Sequence, residues 1–350
     1  MQVSRRSFLV TAAAAAASGP AFLGATNKTG SKAPILGQGD HQYEAIHDWG
    51  ELPRTIKYGN THGVCEDSQG NIYVHHTVHA TSESLDTMVV FDHKGKFIRS
   101  WGRQFKGGAH GLTIRKEGSD EFLYLCDFQH GIVTKRTLKG EEVFTLGYPA
   151  ESDAYKPKNS GLVIPYRPTN VAIAPNGDIY VGDGYGSSFI NQYNQKAEFI
   201  RTFGEPGKGD DQLDCPHGLW VDTRGETRLL VVTDRGNNRM QRFTLDGKHV
   251  DSILGTSKMP CYLHERDGDV VIADLLSKVI ILDRKNRVVA SLGEGEYSNG
   301  DWSTVRNQAP GTFAPGRFVC PHGACFDHEG NIFVVEWVET GRVTKLRRVV

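Results

Sequence analysis

Short runs of alternating apolar and polar residues fill most of this chain, and Gly-containing turn pairs separate them. Typical runs are Gln69–Val74, Pro175–Val181 and Glu329–Val334. Period-two alternation bounded by Asn-Gly and Asp-Gly pairs predicts β-hairpins, and few segments carry the longer period of a helix. The pattern therefore predicts an all-β protein.

The hairpins belong to a unit that recurs six times. Each unit has an opening segment that resembles Pro-His-Gly, then four short apolar stretches, and the first five units close at a Gly. The units open near His62, His110, Pro168, Pro216, Pro260 and Pro321. Four strands per unit at this spacing predict a six-bladed β-propeller of the NHL-repeat type.

The sixth unit reaches Val350 without a closing strand. Near the other terminus, Ile46–Gly50 resembles the closing strands that end at Trp101-Gly102 and Phe203-Gly204. We therefore expect an N-terminal strand to complete the last blade and close the ring, which hides two sheet edges. The predicted propeller spans residues 43–350.

The N-terminus carries a targeting pattern. Ser4–Leu9 contains the pair Arg5-Arg6, and an apolar stretch follows from Leu9 to Ala17. The stretch is too short to span a bilayer, and the pattern is typical of a twin-arginine signal peptide. We predict a signal over residues 1–25, a linker over 26–42 and a periplasmic or extracellular mature protein without a membrane span.

Charge and cysteine content exclude some classes. The chain has 350 residues, and its 40 Lys and Arg nearly balance its 41 Asp and Glu. No basic surface is indicated, so nucleic acid is not an expected partner. The six cysteines include no Cys-x-x-Cys pair and do not indicate a disulfide scaffold.

Histidines open four of the six units: His62, His110, His217 and His322. All opening residues of a propeller share one mouth of the central channel with the loops between second and third strands. Three of these histidines come from blades two, four and six, which predicts a triangle of imidazoles around the axis. Three neutral histidines with an open coordination position are typical of catalytic zinc sites.

Other residues of the same mouth have more than one interpretation. His62, His76 and Glu336 are predicted to contact substrate. Cys215 and Cys320 precede Pro-His and would be thiolate ligands, but an apolar slot explains them better because adjacent strand residues point to opposite faces. An acid that ends the second strand in four blades is predicted to stabilise turns: Asp127, Asp183, Asp234 and Asp274.

On these residues the chain resembles the NHL-repeat propellers and, among them, the lyase unit of peptidylglycine α-amidating enzymes. The matching motifs are Ala109–Leu112, Pro216–Leu219, Pro321–Gly323, Asp183–Tyr185 and Asp234-Arg235.

The resemblance implies a zinc ion on the three histidines of the even blades, a catalytic Tyr185 that assists proton removal, and Arg235 paired with a substrate carboxylate or carbonyl. The implied reaction cleaves the C–N bond of a peptidyl-α-hydroxyglycine and releases a peptide amide and glyoxylate.

The chain departs from the family at several places, among them Gly186 and Val231, which stand where the family carries disulfide cysteines. Val74–Thr77 stands where the family carries a further arginine, and Gly323 stands where a carboxylate helps to hold a structural calcium. The calcium and the specific reaction are therefore open.

Two alternatives remain. One is a non-catalytic propeller that binds a ligand, glycan or protein on the histidine-rich face, with aromatic contacts from the insertions (Tyr148, Tyr155, Tyr166, Tyr297 and Trp302). The other is a calcium-dependent hydrolase, for which the opening residues supply few of the oxygen ligands that calcium prefers.

Overall fold

The computed structural model describes residues 33–157, 162–294 and 302–349. The predicted signal peptide over residues 1–25 lies outside them. The described residues form six antiparallel sheets of four or five strands and one short parallel pair. No helix among them is long and apolar enough to cross a membrane.

The strands follow the predicted order of six units. Two strands precede the first unit: β1 (Ile35–Gln38) and β2 (His41–Ile46). Blade one contains β3 (Thr61–Glu66), β4 (Ile72–His76), β5 (Met88–Phe91) and β6 (Phe97–Trp101). Blade two contains β7 (Ala109–Glu117), β8 (Asp120–Asp127), β9 (Ile132–Thr137) and β10 (Glu142–Leu146). Blade three contains β11 (Asn170–Ile173), β12 (Ile179–Gly182), β13 (Ile190–Tyr193) and β14 (Phe199–Phe203).

A parallel pair follows, β15 (Glu205–Pro206) and β16 (Gln212–Leu213). Blade four contains β17 (Pro216–Asp222), β18 (Leu229–Asp234), β19 (Arg239–Thr244) and β20 (His249–Ile253). Blade five contains β21 (Pro260–Arg266), β22 (Asp269–Asp274), β23 (Lys278–Leu282) and β24 (Val288–Leu292). Blade six contains β25 (Pro321–Phe326), β26 (Ile332–Glu336) and β27 (Arg342–Arg348). The helical elements are α1 (Trp302–Val305) and four single 3-10 turns at Arg103–Phe105, Asp153–Tyr155, Arg235–Asn237 and Pro310–Thr312.

The ring is closed through its innermost strands. The first strands of consecutive blades contact one another all the way round, and β25 of blade six contacts β3 of blade one. The all-β, six-bladed propeller predicted from the repeats is confirmed.

The N-terminal strands belong to blade six. β2 pairs with β27 on one side and with β1 on the other, which gives this blade five strands. The ordered fold therefore begins before the predicted boundary at residue 43, and the segment taken as a linker over 26–42 contains β1. Leu36 and Tyr43 are buried in the apolar cluster between blades five and six, which explains why this short segment is held in the sheet.

The hairpin turns show how the repeated motif acts locally. The Asp67 carboxylate accepts hydrogen bonds from the backbone N–H groups of Gln69 and Asn71 and from the Tyr73 hydroxyl. Gly70 has a φ of 81°, a left-handed conformation that glycine adopts without strain. Blade six repeats the arrangement around Asp327.

Apolar residues from neighbouring blades fill the space between sheets. Between blades three and four, for example, Ala172 and Tyr180 pack with Leu219 and Phe243. Because every sheet is covered on both faces in this way, its strands are apolar on both sides near the channel. The closed ring then fixes where the opening residues lie.

Candidate active site at the mouth of the channel

Six side chains form an inner ring at one mouth of the channel. They occupy the same place at the start of each innermost strand, called here the opening position, and all are buried: His62, His110, Thr169, His217, Cys261 and His322. In five blades the strand pairing shifts register at or beside this residue, as between Ala109 and Leu112. Such β-bulges redirect a side chain at the end of a strand.

The three histidines of the even blades form a nearly equilateral triangle. The ring centroids are 4.8 Å apart for His110 and His217, 4.7 Å for His110 and His322, and 4.7 Å for His217 and His322. The alternate-blade spacing therefore brings the three imidazoles together as the sequence predicted.

Each of these imidazoles is oriented by the next blade. The Nδ1 atoms of His110, His217 and His322 lie 2.6, 2.8 and 3.1 Å from backbone carbonyl oxygens. The accepting carbonyls belong to the opening residues of the odd blades, Thr169, Cys261 and His62. A carbonyl only accepts, so Nδ1 carries the hydrogen and Nε2 keeps its lone pair.

The glycine after each histidine makes this contact possible. A Cβ atom on Gly111 would lie 2.4 Å from the Thr169 oxygen, and one on Gly218 would lie 2.6 Å from the Cys261 oxygen. On Gly323 it would lie 2.7 Å from the His62 oxygen. The histidine and the glycine therefore act together, because the absence of a Cβ on the glycine leaves room for the carbonyl that accepts the hydrogen bond from the histidine Nδ1.

The electrostatics keep the imidazoles neutral. Burial is the main cause that lowers the pKa of His322 to about 3, and the positive charges of Arg235 and Arg306 add to it. Burial also holds the pKa of His110 and of His217 well below the ordinary value, with contributions from neighbouring imidazoles and Arg235. Neutral imidazoles with free Nε2 lone pairs are the form that binds a metal ion.

Two further donors adjoin the triangle. His62 Nδ1 lies 3.4 Å from His322 Nε2, and donor atoms of His62, His110 and His322 all lie within 4.8 Å of one another. Cys261 Sγ forms a second such group with His217 and His322. The cysteine in this cluster is thus the opening residue of blade five, whereas the sequence analysis had considered Cys215 and Cys320.

Tyr185 lies beside the triangle on the loop between β12 and β13. Its hydroxyl is 3.1 Å from His110 Nε2 and 3.0 Å from His217 Nε2. Burial raises the pKa of Tyr185 to about 12, although Arg235 acts in the opposite direction. The side chain is therefore a neutral phenol here, whereas a base would need a lowered pKa.

Arg235 begins the loop after β18 and lies against Tyr185. Its Nη1 is 3.5 Å from the Tyr185 hydroxyl, and its guanidinium also donates to Cys215 Sγ at 3.2 Å and Cys261 Sγ at 3.6 Å. None of the described carboxylates forms an ion pair with it. Arg235 is thus a positive charge near the histidines that no described carboxylate neutralises in an ion pair.

A pocket of about 780 Å³ opens above the cluster. Each blade contributes a residue from the loop between its second and third strands: Val78, Phe128, Tyr185, Arg235, Leu275 and Trp337. Asn60, His62 and Arg306 also line it. Sequence reasoning did not select Arg306, and the position of its insertion on this face was the only signal that could have found it.

Two predicted substrate contacts have structural roles instead. The Glu336 carboxylate is buried, forms an ion pair with Arg342 and accepts the Val319 backbone N–H. His76 is also buried, packs edge-on against Tyr58, and its Nδ1 accepts the Val78 N–H. Neither lines the pocket. Both end a second strand, so they occupy the place of the turn-stabilising acids.

Those recurring acids act as predicted. Asp183 accepts the Arg167 and Ser187 backbone N–H groups, and Asp274 accepts those of Lys258 and Met259. Each carboxylate thus connects the end of the blade's second strand to the segment that precedes its first strand.

The aromatic residues of the first insertion mostly pack inward. Tyr155 and Tyr166 are buried, and the Tyr155 hydroxyl donates to Asp183 Oδ2 at 2.8 Å. Tyr148 is 41% exposed. Tyr297 and the Trp302 side chain lie outside the described part of the chain. Packing of this insertion therefore outweighs a role in an aromatic ligand surface.

The donor set fits a metal ion. Donor atoms of His62, His110 and His322 lie within 4.8 Å of one another, and so do those of His217, Cys261 and His322. The Nδ1 atoms of the three even-blade histidines are fixed by carbonyls. Fixing of the second ring nitrogen by an outer partner is a general feature of metal-binding histidines. The cluster can therefore hold a metal, whereas Gly323 offers no carboxylate for the implied calcium.

Fold and site together define a six-bladed β-propeller with a polyhistidine cluster at one mouth. Several curated proteins that are similar to this chain are amidating enzymes. The chain is 28% identical over 325 residues to peptidyl-alpha-hydroxyglycine alpha-amidating lyase 1 of Drosophila melanogaster, covering 80% of this chain and 56% of that protein. It is 25% identical over 270 residues to the probable lyase pgal-1 of Caenorhabditis elegans, covering 75% and 70%.

Against peptidyl-glycine alpha-amidating monooxygenase B of Xenopus laevis the identity is 27%, over 86% of this chain and 35% of that protein. The chain thus spans about half of the Drosophila lyase and about a third of the Xenopus monooxygenase. Together with the six blades, these relatives confirm the resemblance inferred from the Pro-His openings.

Solved structures support the fold. A streptogramin B lyase superposes with a TM-score of 0.57 at 15% identity, over 87% of this chain and 98% of that one. A gluconolactonase of Xanthomonas campestris gives 0.55 at 12% identity, over 87% and 89%. At these identities the likeness concerns the propeller alone. No protein-family model matches the chain.

Proposed function

We propose that this protein is a zinc-dependent lyase that cleaves the C–N bond of a peptidyl-α-hydroxyglycine or a closely similar substrate, releasing an amide and glyoxylate. The observation that carries the proposal is the triangle of His110, His217 and His322, whose Nδ1 atoms are all held by carbonyls of the next blade. The amidating lyases among the curated relatives support the reaction class.

The residues of the pocket suit each part of this reaction. A zinc ion on the three Nε2 atoms would supply positive charge for the oxygen that becomes anionic when the α-hydroxyl loses its proton. Tyr185 lies within hydrogen-bond distance of two of the ligands. Its neutral hydroxyl is therefore in place to donate its own proton to the departing amide nitrogen while it takes up the proton that the α-hydroxyl loses.

The balance of the reaction needs no other reagent. The O–H bond breaks and the C=O bond of glyoxylate forms, while the C–N bond breaks and its electron pair stays on nitrogen. The nitrogen gains a proton from Tyr185, which takes up the one that the α-hydroxyl loses. Arg235, which pairs with no carboxylate of the described residues, supplies a further positive charge beside Tyr185.

The test combines metal analysis with a glyoxylate assay on N-benzoyl-α-hydroxyglycine. We expect about one zinc per chain and zinc-dependent glyoxylate release in the wild type, and loss of both in His217→Ala. His93→Ala is the matched control, since His93 is exposed on a hairpin at the other end of blade one. Wild-type protein that binds no zinc, or that binds zinc and releases no glyoxylate, would refute the proposal.

We also propose export by the twin-arginine route, which rests on Ser4–Leu9 and the apolar stretch after it. Residues 1–25 fused to a folded reporter should direct it out of the cytoplasm, and replacement of Arg5 and Arg6 by lysine should retain it inside. Export of the lysine variant at the wild-type level would contradict this route.

A further inference from the structure

Arg306 reaches the pocket from the long connection between β24 and β25. Its Nη2 donates to Asn60 Oδ1, and its Nε donates to the Trp337 carbonyl at 3.2 Å. The guanidinium also lies 3.5 Å from the centre of the Trp337 ring. Contacts from blades one and six thus fix the side chain in one orientation.

This fixed cation forms no ion pair with the residues that the structure describes. None of the carboxylates in the described ranges pairs with Arg306, and no described residue accepts a hydrogen bond from its Nη1. Arg306 is partly buried and lines the pocket together with His62. A partly desolvated guanidinium with a free donor edge favours an incoming anion, and its planar fork matches a carboxylate.

The second arginine of the pocket is engaged differently. The donors of Arg235 are directed to the Tyr185 hydroxyl and to the sulfurs of Cys215 and Cys261. Arg306 forms no hydrogen bond with these groups, and one end of its guanidinium has no acceptor among the described residues. Arg235 is therefore placed to act on Tyr185, whereas Arg306 is placed to bind a ligand at the wall of the pocket.

We propose that Arg306 binds the carboxylate of the substrate, and that the Arg306, Asn60 and Trp337 cluster is a carboxylate subsite of this pocket. The inference rests on the proposed function for the identity of the substrate, which ends in a carboxylate. In this proposal Arg306, a residue of the insertion between blades five and six, makes the protein prefer substrates with a free carboxylate. Amides and esters of the same compound would lack this contact.

Equilibrium binding separates this role from turnover. The probes are N-benzoylglycine and N-benzoylglycinamide, which have no α-hydroxyl and cannot react, and binding to the zinc-loaded protein is measured by calorimetry. We expect the wild type to prefer the acid. Arg306→Gln should weaken binding of the acid about tenfold or more and leave binding of the amide unchanged, because a hydrogen bond to a charged group is lost.

Two variants control the comparison. Arg103→Gln removes an exposed arginine from the connection between blades one and two, so it changes the net charge equally and should not alter the preference. Arg306→Lys keeps the charge and should retain part of the preference. If Arg306→Gln unfolds at a lower temperature than the wild type, Arg306→Lys decides the question.

The outcomes distinguish this inference from the lyase proposal. An acid preference that depends on Arg306 supports the subsite, even in a protein that releases no glyoxylate. A wild type that binds acid and amide equally, or an Arg306→Gln variant that keeps the full preference, overturns it, whether or not the protein is a lyase.

Discussion

The glycine that follows each histidine of the triangle provides the sharpest test of how the site is built, and Gly218→Ala is the most informative change. The new Cβ would lie 2.6 Å from the Cys261 oxygen, well inside the roughly 3.3 Å at which carbon and oxygen normally meet. The carbonyl must therefore move away, and it is the acceptor for His217 Nδ1 at 2.8 Å.

The magnitude follows from the role of that hydrogen bond. Loss of an outer partner of a metal-binding histidine typically weakens metal binding 10- to 100-fold, which corresponds to about 1.4–2.8 kcal/mol. We expect zinc affinity to fall by this factor in Gly218→Ala. Gly111→Ala and Gly323→Ala should give similar losses, since the same carbonyl contact exists at each corner of the triangle.

The assay is competition for zinc with a chromogenic chelator, combined with thermal unfolding of the metal-free protein. Gly147→Ala is the matched control, because a Cβ there would have no heavy atom within 4 Å. If Gly218→Ala and Gly147→Ala bind zinc equally tightly, the carbonyl contact does not orient His217 and the reasoning fails.

Three further outcomes are expected. Tyr185→Phe should lower kcat for glyoxylate release by about 10²- to 10⁴-fold while zinc content stays at the wild-type level, and an unchanged kcat would remove Tyr185 from the mechanism. Glu336→Gln should destabilise the fold by about 3–5 kcal/mol in urea unfolding, because it breaks a buried ion pair with Arg342, and leave KM unchanged. A raised KM at unchanged stability would instead restore its assignment as a substrate contact. Removal of zinc by a chelator should lower the unfolding temperature of the wild type and not that of His217→Ala, since a bound ion stabilises only the folded state. Equal shifts in both proteins would show that the ion binds elsewhere.

The sequence by itself determined the repeat, and with it most of the fold. Alternating strands, turn glycines and similar opening segments recur six times along the chain, so the number of blades and the mouth that carries the histidines follow from counting. Alternate blades in a closed ring then place His110, His217 and His322 around one axis without any further information.

Only the tertiary structure decided how side chains at equivalent positions are used. The sequence suggested that Glu336 contacts a substrate, yet its carboxylate forms an ion pair with Arg342, which lies on the next strand of the same blade. Arg306 had no motif around it, because an insertion has no repeat to be compared with, and its role depends on Asn60 and Trp337, which are distant in the sequence. A local pattern fixes which strand a residue opens or ends, whereas the partners of its polar atoms come from other strands, insertions and blades, and those are set only when the chain has folded.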